Sequence, residues 1–274
     1  MARKIDRRNS VKVVIQNDFI KARASRDMDA NAQKFLRIAI AQSKITDKEF
    51  FMYEVSATEL ADMFGVSQSN IYHHIDKWTS QCMGTVMEFR ASTDSKFRKF
   101  ALFSMCEYDN GILRMKLNPD MTPFVLGIQK QLGFTQYELS NILTVKGKYT
   151  IRIYEMMMAE MKSQKAYANR TVEFDLSMEE LRRQTGTEKL YKQIGQFKDR
   201  VLSKAIEEIE KAQSWKIETE NVKTGRNITA IHFKVWSEIG FANRNRIREM
   251  TPEEKREYDE LTAHSKQMDM EDLL

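Results

Sequence analysis

The most constraining feature of this sequence is a short pattern that occurs twice. Residues 56–65 read SATELADMFG and residues 177–186 read SMEELRRQTG, so Ser-x-x-Glu-Leu, four residues and Gly recur after 121 positions. Each copy predicts a short helix that begins after a serine cap and ends at a left-handed glycine. The glutamate in the first turn of the helix is expected to accept a hydrogen bond from the backbone of the capping serine. Two unrelated short helices would give the same pattern, so the flanking sequence decides between coincidence and duplication.

The flanking segments extend the match to a whole domain. Each copy follows an apolar helix and a strand-like run, and precedes an amphipathic helix and two strands. These segments are 32–42, 50–55, 67–81, 85–90 and 99–108 in the first copy, and 149–161, 171–176, 188–211, 215–222 and 227–236 in the second. A period of one domain indicates duplication rather than a solenoid. We therefore predict a helix-rich α+β chain with two tandem winged helix-turn-helix domains related by internal duplication.

The predicted domains divide the chain into four parts. A basic N-terminal arm (1–12) is followed by a first winged helix (13–132), a second winged helix (133–238) and a charged C-terminal tail (239–274). The arm is either a flexible segment that follows DNA or a solubilising tail, and the second interpretation is favoured. For the C-terminal tail a helix, a partner site and disorder all stay open.

The composition limits the cellular compartment and the classes of binding partner that fit this protein. A net charge of +5 is compatible with nucleic acid without requiring it. Two cysteines, Cys82 and Cys106, fit a reducing compartment. No stretch approaches the roughly 18 apolar residues of a membrane span, and the N-terminus lacks the apolar core of a signal peptide. We expect a cytoplasmic protein without a membrane partner.

The helix at 188–211 is the predicted recognition helix of the second copy, because the second helix of a helix-turn-helix enters the major groove. Between Arg182 and Lys204 there are seven basic residues and two acidic ones. The period predicts a buried side of Leu190, Ile194, Val201 and Ala205, and an opposite, DNA-binding side of Lys189, Lys192, Gln193, Gln196 and Arg200. Lys198 joins that side only if Gly195 interrupts the helix. The wing tip adds Lys223 and Arg226.

The corresponding helix of the first copy is electrically neutral by comparison. Its apolar stripe is Ile71, Ile75, Trp78 and Cys82. The opposite side carries the predicted DNA-binding residues Ser69, Asn70, His73 and Lys77, and the wing adds Lys96, Arg98 and Lys99. Whether this helix reads bases stays open. His73 and His74 lie about 100° apart on a helix, which makes a poor metal pair.

Several longer segments carry a family resemblance. They are VVIQNDFIKA (13–22), the Asn-Pro at 118–119, FTQYEL (134–139) and KYTIRIYE (148–155). In their order and spacing they resemble the iteron-binding plasmid replication initiators built from two winged helices, over roughly residues 13–236. The charged segment that follows the second wing departs from that pattern.

The resemblance implies functions that the periodicity does not. Such proteins bind direct repeats in double-stranded origin DNA as monomers and recruit the host replication initiator and helicase machinery. As dimers they bind an inverted repeat and repress their own gene. Most sequence reading falls to the second winged helix, whereas the first mediates dimerisation and also contacts DNA. A dedicated transcriptional repressor with tandem winged helices is the alternative.

The dimer contact is assigned to five apolar residues of the first wing: Phe97, Phe100, Leu102, Phe103 and Met105. Because alternate residues of a strand face opposite sides, one small domain is not expected to bury both sides without a partner. Packing against the strand at 109–118 is the competing interpretation.

An enzyme is not expected. Some plasmid initiators nick DNA with a metal held by a His-hydrophobe-His motif, and none of the histidines at 73, 74, 232 and 264 has that spacing. A G-x-x-x-x-G-K-[ST] phosphate loop is also absent from the sequence. We therefore predict no catalytic residue, no metal and no cofactor.

Overall fold

The computed structural model describes residues 2–6, 11–44, 46–90, 97–128, 133–163 and 171–237, together with Arg256. Its strands are β1 (Arg3–Lys4), β2 (Lys12–Gln16), β3 (Arg23–Ala24), β4 (Tyr53–Ser56), β5 (Val86–Arg90), β6 (Phe97–Ala101), β7 (Phe103–Asp109), β8 (Ile112–Leu117), β9 (Phe134–Glu138), β10 (Thr171–Ser177), β11 (Lys216–Thr224) and β12 (Asn227–Trp236). Its helices are α1 (Asn17–Lys21), α2 (Ala30–Ala41), α3 (Ala57–Phe64), α4 (Ile71–Met83), α5 (Thr122–Val125), α6 (Ser140–Leu143), α7 (Thr150–Ser163), α8 (Met178–Thr185), α9 (Ile194–Phe197) and α10 (Lys204–Gln213). A π-helical segment, Lys198–Ser203, joins α9 to α10. Among the described residues, no helix is long and apolar enough to cross a membrane.

The predicted order of elements is confirmed in the first copy. Helix α2, strand β4, and helices α3 and α4 are followed by the antiparallel pair β5 and β6. The inner side of α4 buries the four residues that the sequence pattern selects: Ile71, Ile75, Trp78 and Cys82. An apolar stripe at helical spacing therefore sets which side of α4 faces outward.

The second strand of the first wing is shorter than predicted. The run 99–108 is divided at Leu102, so β6 pairs with β5 whereas β7 pairs with β8 in a different sheet. The sheets have the strand orders β3-β5-β6 and β1-β4-β8-β7. The Leu102 side chain is fully buried and its carbonyl accepts a hydrogen bond from the Asn118 amide at 3.0 Å. The chain thus crosses from one sheet to the other at this residue.

Because the chain crosses between the sheets, much of the apolar surface that was assigned to a dimer contact is buried inside the protein. Three of its five residues are buried inside the chain: Phe100, Leu102 and Phe103. Phe103 stacks on Phe35 of α2 with ring centroids 5.4 Å apart. Core packing is therefore the correct interpretation for these three, because two sheets bury what one strand pair could not. Met105 is half-buried, and Phe97 is 64% exposed.

The second copy has the same order of elements: α7, β10, α8, the long helix and the pair β11–β12. Strand β12 pairs with both β10 and β11. The long helix differs from its prediction, because it begins at Ile194 rather than at 188. Leu190, predicted to be buried, is 45% exposed.

A π-helical segment, rather than an interruption at Gly195, sets the phase of this helix. Its buried residues Phe197, Val201, Ala205 and Ile209 recur every four positions. That spacing exceeds the 3.6 residues of an α-helical turn, so the apolar stripe would drift around a regular helix. The wider π turn keeps the stripe against the domain core.

The two echoed helices have the predicted caps, with one difference. Both end at left-handed glycines, Gly65 with φ 61° and Gly186 with φ 65°. In α3 the capping box is complete, since the Ser56 amide donates to the Glu59 carboxylate at 2.9 Å. In α8 the Glu180 carboxylate instead accepts hydrogen bonds from the side chains of Arg183 and Gln184, at 2.6 and 3.2 Å. The first copy has Asp62 in place of Arg183, so no cation competes there.

This difference predicts unequal effects of removing the two glutamates. Glu59→Ala should lower the free energy of unfolding by about 1 kcal/mol, because it leaves the Ser56 amide without its capping acceptor. Glu180→Ala removes a partly exposed ion pair and should cost less than about 0.5 kcal/mol. Urea unfolding followed by circular dichroism measures both values, and equal losses would contradict the assignment of the capping box to the first copy alone.

The N-terminal arm is not a free segment where the structure describes it. Strand β1 pairs in parallel with β4, and the amides of Arg3 and Ile5 donate to backbone carbonyls of that segment at 2.8 and 3.1 Å. Arg3 also donates two hydrogen bonds to the Asp47 carboxylate at 2.9 and 3.0 Å. The prediction of a flexible or solubilising arm is therefore wrong for residues 2–6. Residues 7–10 of the arm and, apart from Arg256, the predicted tail lie outside the described residues.

A short sheet links the start of the first copy to the approach to the second. Strand β2 pairs antiparallel with β9 over five residues, from Lys12 opposite Glu138 to Gln16 opposite Phe134. Strand β9, which lies just before the second copy, thus pairs with a strand near the N-terminus of the chain. The boundary between 132 and 133 stays a prediction.

A buried ion pair joins α2 of the first copy to α7 of the second. Arg37 donates through Nε and Nη2 to the two carboxylate oxygens of Glu155, at 3.0 and 2.6 Å. Tyr137 of β9 donates its hydroxyl to the same carboxylate at 2.6 Å. Burial alone would raise the pKa of Glu155, but the opposing charge and hydrogen bonds of Arg37 lower it below its ordinary value.

A second buried arginine extends this cluster to α8. Arg152 of α7 donates to the Ala22 carbonyl at 2.9 Å and to the side-chain oxygen of Gln184 at 2.7 Å. Its guanidinium also lies 4.0 Å from the Glu155 carboxylate. The cluster therefore connects α2 of the first copy to α7 and α8 of the second through side chains that have little contact with water.

Candidate nucleic-acid interface

The segment before the long helix carries the first group of candidate DNA-binding residues. Lys189, Lys192 and Gln193 are all exposed, but they lie in the turn between α8 and α9 rather than on a helix face. The helical-wheel prediction for these three was therefore wrong about their conformation. Tyr191, between the two lysines, has a left-handed backbone with φ 49°. Such a conformation is uncommon for a bulky residue and makes the turn compact.

On the helix itself, Gln196 and Arg200 are exposed, as predicted. The Arg200 guanidinium lies 3.4 Å from the carboxylate of its neighbour Asp199, and both side chains are largely exposed. Lys198 has a different environment: it is half-buried, and its Nζ donates to the Asn221 side chain of β11 at 3.2 Å. This contact ties the helix to the wing, so Lys198 is a weaker candidate for DNA contact than its neighbours.

The second wing has two exposed cations at its tip. Lys223 lies near the end of β11, and Arg226 precedes β12 in a turn whose Gly225 has φ 62°. In the part of the chain that the structure describes, five of the candidate cations have no carboxylate within 4 Å, and four of them, unlike Lys198, also have no hydrogen bond to another side chain: Lys189, Lys192, Lys223 and Arg226. A phosphate would not have to displace a protein partner from these side chains.

The outward side of α4 in the first copy has less available charge. Ser69, Asn70 and His73 are exposed and uncharged or only weakly basic. Lys77 is exposed but forms an ion pair of 2.8 Å with Asp29, whose side chain caps α2. Burial alone would raise the pKa of Asp29, but the hydrogen bond from Lys77 and the helix cap lower it.

Sequence reasoning passed over an aromatic residue on this side. Tyr72 is 55% exposed, and its ring lies 5.4 Å from that of Tyr108 on β7. Its position beside His73 in the first turn of α4 is the signal that could have identified it.

Of the three candidate cations of the first wing, the two that the structure describes are paired within the protein. Arg98 lies 2.9 Å from the Asp120 carboxylate, and Lys99 lies 3.5 Å from that of Glu88. The third predicted cation, Lys96, lies outside the described residues. The two copies therefore share a fold but differ in how many cations they present unpaired.

Two of the described histidines serve packing and hydrogen bonding. His74 stacks on Trp78 with ring centroids 5.4 Å apart. His232 of β12 shares a hydrogen bond of 2.7 Å with Asp175 of β10. Among the described residues, no group of three or more His, Cys, Asp or Glu side chains is arranged to hold a metal ion.

Two family models match the two copies. The model described as Initiator Replication protein, WH1, matches residues 12–158, which is more than half of the chain. The model described as Initiator Rep protein, WH2, matches residues 177–235. The chain belongs to the initiator replication protein family. This is a family of initiators and not of enzymes, in agreement with the sequence prediction.

Two similar proteins extend this result. A replication initiation protein of Escherichia coli is 22% identical over 177 residues, which cover 65% of this chain. The match spans about half of that relative, 54% of its length. The crystal structure of the Pi initiator protein in complex with iteron DNA superposes with a TM-score of 0.65 at 20% identity, covering 84% of this chain and 99% of that one. The latter similarity establishes the fold of two winged helices.

Proposed function

We propose that this protein initiates plasmid replication by binding repeated double-stranded DNA sites at an origin through its two winged helices. Membership of an initiator family supports the proposal, as does the similarity in fold to an initiator that was crystallised with iteron DNA. The single observation that carries it is the set of unpaired cations on the turn and wing of the second copy. Cations in this position neutralise phosphates and release counterions, which is the main source of affinity for DNA.

The asymmetry between the copies divides the work between them. In the second copy, glutamines beside the lysines provide groups that hydrogen-bond to base edges: Gln193 and Gln196. In the first copy the exposed side of α4 is nearly neutral, so its contribution is contact near the backbone and orientation of the chain. We infer that the second winged helix supplies most of the sequence preference.

The proposal includes two oligomeric states. We infer that monomers bind direct repeats and engage the host replication initiator and helicase machinery, whereas dimers bind an inverted repeat and repress the gene of the protein. With three of the five apolar candidates buried, Phe97 and Met105 are the two that stay available for the dimer contact. Sedimentation of the protein alone and with each DNA would measure the two states.

Footprinting on plasmid DNA around the gene of the protein tests the function. We expect protection of several tandem repeats in one orientation, each covering about one to two turns of DNA, because two linked helix-turn-helix units contact grooves about 34 Å apart. Protection of a single palindrome would support a dedicated repressor instead. Binding with no sequence preference at physiological salt would contradict both.

A further inference from the structure

The segments that connect the two helices of each helix-turn-helix differ in length. In the first copy α4 begins at Ile71 after the left-handed Gly65, whereas in the second copy the long helix begins at Ile194 after Gly186. Counted from each glycine to the first α-helical residue, the second connection is therefore two residues longer, and the last three residues of the first connection, Gln68–Asn70, already form a 3₁₀ turn. The second connection is also the one that carries exposed lysines.

An arginine of α8 supports this longer connection. Arg182 donates from Nη1 to the carbonyls of Thr187 and Leu190, at 3.2 and 2.9 Å, and from Nη2 to the carbonyl of Tyr191 at 2.8 Å. Its guanidinium lies over the Phe197 ring, 4.8 Å from the centroid. One side chain thus contacts the beginning and middle of the turn and the first turn of the helix that follows it.

The internal duplication provides a comparison for Arg182. When SMEELRRQTG is aligned with SATELADMFG, Arg182 corresponds to Ala61. Ala61 is fully buried in the first copy, where the shorter connection leaves no room or need for a long side chain. The arginine therefore occurs in the copy with the longer turn and is replaced by a methyl group in the other.

The turn has few other internal supports. Its backbone hydrogen bonds run from the Thr187 amide to the Arg182 carbonyl at 2.8 Å, from the Leu190 amide to the Thr187 carbonyl at 3.0 Å and, at its end, from the Phe197 amide to the Gln193 carbonyl at 3.1 Å. The hydroxyls of Thr185 and Thr187 also share a hydrogen bond of 2.8 Å, and Glu188 lies 3.7 Å from Arg23 in a partly exposed ion pair. Ordering each residue of such a segment costs about 1–2 kcal/mol in conformational entropy. Three charge-assisted hydrogen bonds from a planar, fixed group offset part of this cost.

We propose that Arg182 is a positioning residue for DNA recognition: its guanidinium holds the turn 187–193 so that Lys189, Lys192 and Gln193 face the DNA. Arg182 directs its donors at the protein backbone and one face at Phe197, so it acts through the turn and not by contact with phosphate. This inference rests on the proposed DNA-binding function, but the order of the turn is measurable without DNA.

The first part of the test uses trypsin on the full-length protein. Lys189 and Lys192 are exposed cleavage sites inside the turn, and a compact turn resists the protease. We expect Arg182→Met and Arg182→Lys both to accelerate cleavage after these lysines at least tenfold, as mapped by mass spectrometry. Arg182→Lys retains the positive charge but removes the planar guanidinium that donates hydrogen bonds to three carbonyls. Arg183→Met is the matched control, since Arg183 is exposed and its guanidinium contacts the Glu180 side chain.

The second part measures binding by fluorescence anisotropy. The probes are a labelled duplex of the site protected in the footprint and a random-sequence duplex of equal length. Loss of an ordered recognition turn should weaken binding of the protected duplex about 10- to 100-fold in both Arg182 variants. The affinity for the random duplex should fall less than about threefold, because the lysines remain and attract phosphates even when the turn is disordered. Arg183→Met should resemble the parent protein on the protected duplex.

Three results would overturn the inference. If Arg182→Lys behaves like the parent protein while Arg182→Met weakens both duplexes equally, Arg182 acts as a phosphate-binding charge. Unchanged cleavage in both variants would show that the turn is ordered without the guanidinium. If both variants have a lower melting temperature and trypsin cleaves them throughout the chain, Arg182 stabilises the whole fold and not the turn in particular. A parent protein that binds the two duplexes equally would instead contradict the proposed function, while the cleavage result still tests the turn.

Discussion

Glu155→Gln is expected to lower the free energy of unfolding by about 3–5 kcal/mol, the largest effect of any single substitution considered for this protein. The Glu155 side chain is fully buried, and its carboxylate balances Arg37 at 2.6 Å and lies 4.0 Å from Arg152. An amide of the same size keeps the packing but removes the negative charge, which leaves two buried guanidinium groups without compensation. Because the cluster joins α2 to α7, both copies should lose stability together.

Urea unfolding followed by tryptophan fluorescence would measure this loss. The control is Glu207→Gln on α10, which removes the same charge from an exposed position and should change stability by less than about 0.5 kcal/mol. A loss below about 1 kcal/mol for Glu155→Gln would show that water enters the cluster and replaces the ion pair. Two separate unfolding transitions in the parent protein would contradict the coupling of the two copies through this cluster.

The same cluster predicts a pH dependence. The pKa of Glu155 in the folded protein lies below its ordinary value of 4.5, because Arg37 and its hydrogen bonds outweigh burial. A carboxylate with a lowered pKa stabilises the folded state above its unfolded pKa, and this contribution is lost as the pH falls through the folded pKa. The stability difference between the parent protein and Glu155→Gln should therefore be greatest near neutral pH and shrink on acidification below about pH 4.

The elements that local sequence determines were predicted well. The serine caps and the left-handed glycines at 65 and 186 depend on contacts within one helix, and so does the buried stripe of α4. Strand β12 occupies the predicted residues 227–236, and in its second half the buried Ile231, Phe233 and Val235 alternate with polar residues. Duplication added independent support, since each copy served as a template for the other.

The elements that depend on distant contacts were not predicted. The late start at Ile194 is accompanied by a guanidinium from α8 bound to the carbonyls of the turn, which no helical periodicity reveals. The break at Leu102 reflects a choice between two sheets, each completed by strands far away in the sequence. For the buried cluster a signal was present: Arg152 and Glu155 interrupt the mostly apolar first half of the helix at 149–161. Charged residues in such a helix indicate a buried pair, although the partner Arg37 has to come from the fold.

The charges of the candidate site were predicted more accurately than its shape. The basic excess after Arg182 belongs to the segment of the second copy that carries the exposed lysines Lys189 and Lys192. However, a count of charges does not reveal that Lys77, Arg98 and Lys99 lie beside carboxylates in the folded chain. The candidate residues of the first copy are therefore weaker cations for DNA than their sequence suggests. The assignment of individual residues to DNA contact stays a prediction.

The second large effect concerns DNA affinity. Replacing Lys189, Lys192 and Arg200 together with alanine should weaken binding to the protected repeat at least about 100-fold at physiological salt, since each contact is worth at least about 1 kcal/mol. The slope of log K against log salt should become less steep by about 0.9 for each of the three that contacts a phosphate. Fluorescence anisotropy at several salt concentrations gives both values.

A charge-matched variant separates local contact from the overall field of the protein. Lys211, Lys216 and Lys234 are exposed, and Lys216 and Lys234 lie in the β11–β12 pair at the end opposite the wing tip, where Lys216 faces Trp236 across the strands. Their joint replacement by alanine removes the same net charge and should weaken binding less than about fivefold, because exposed charges beyond a Debye length of about 8 Å are screened. If both triple variants lose affinity equally, the basic character of the whole chain drives binding and the second helix-turn-helix is not the recognition face. A loss of affinity confined to the variant of Lys189, Lys192 and Arg200, with an unchanged slope of log K against log salt, would show that these residues read bases rather than phosphates.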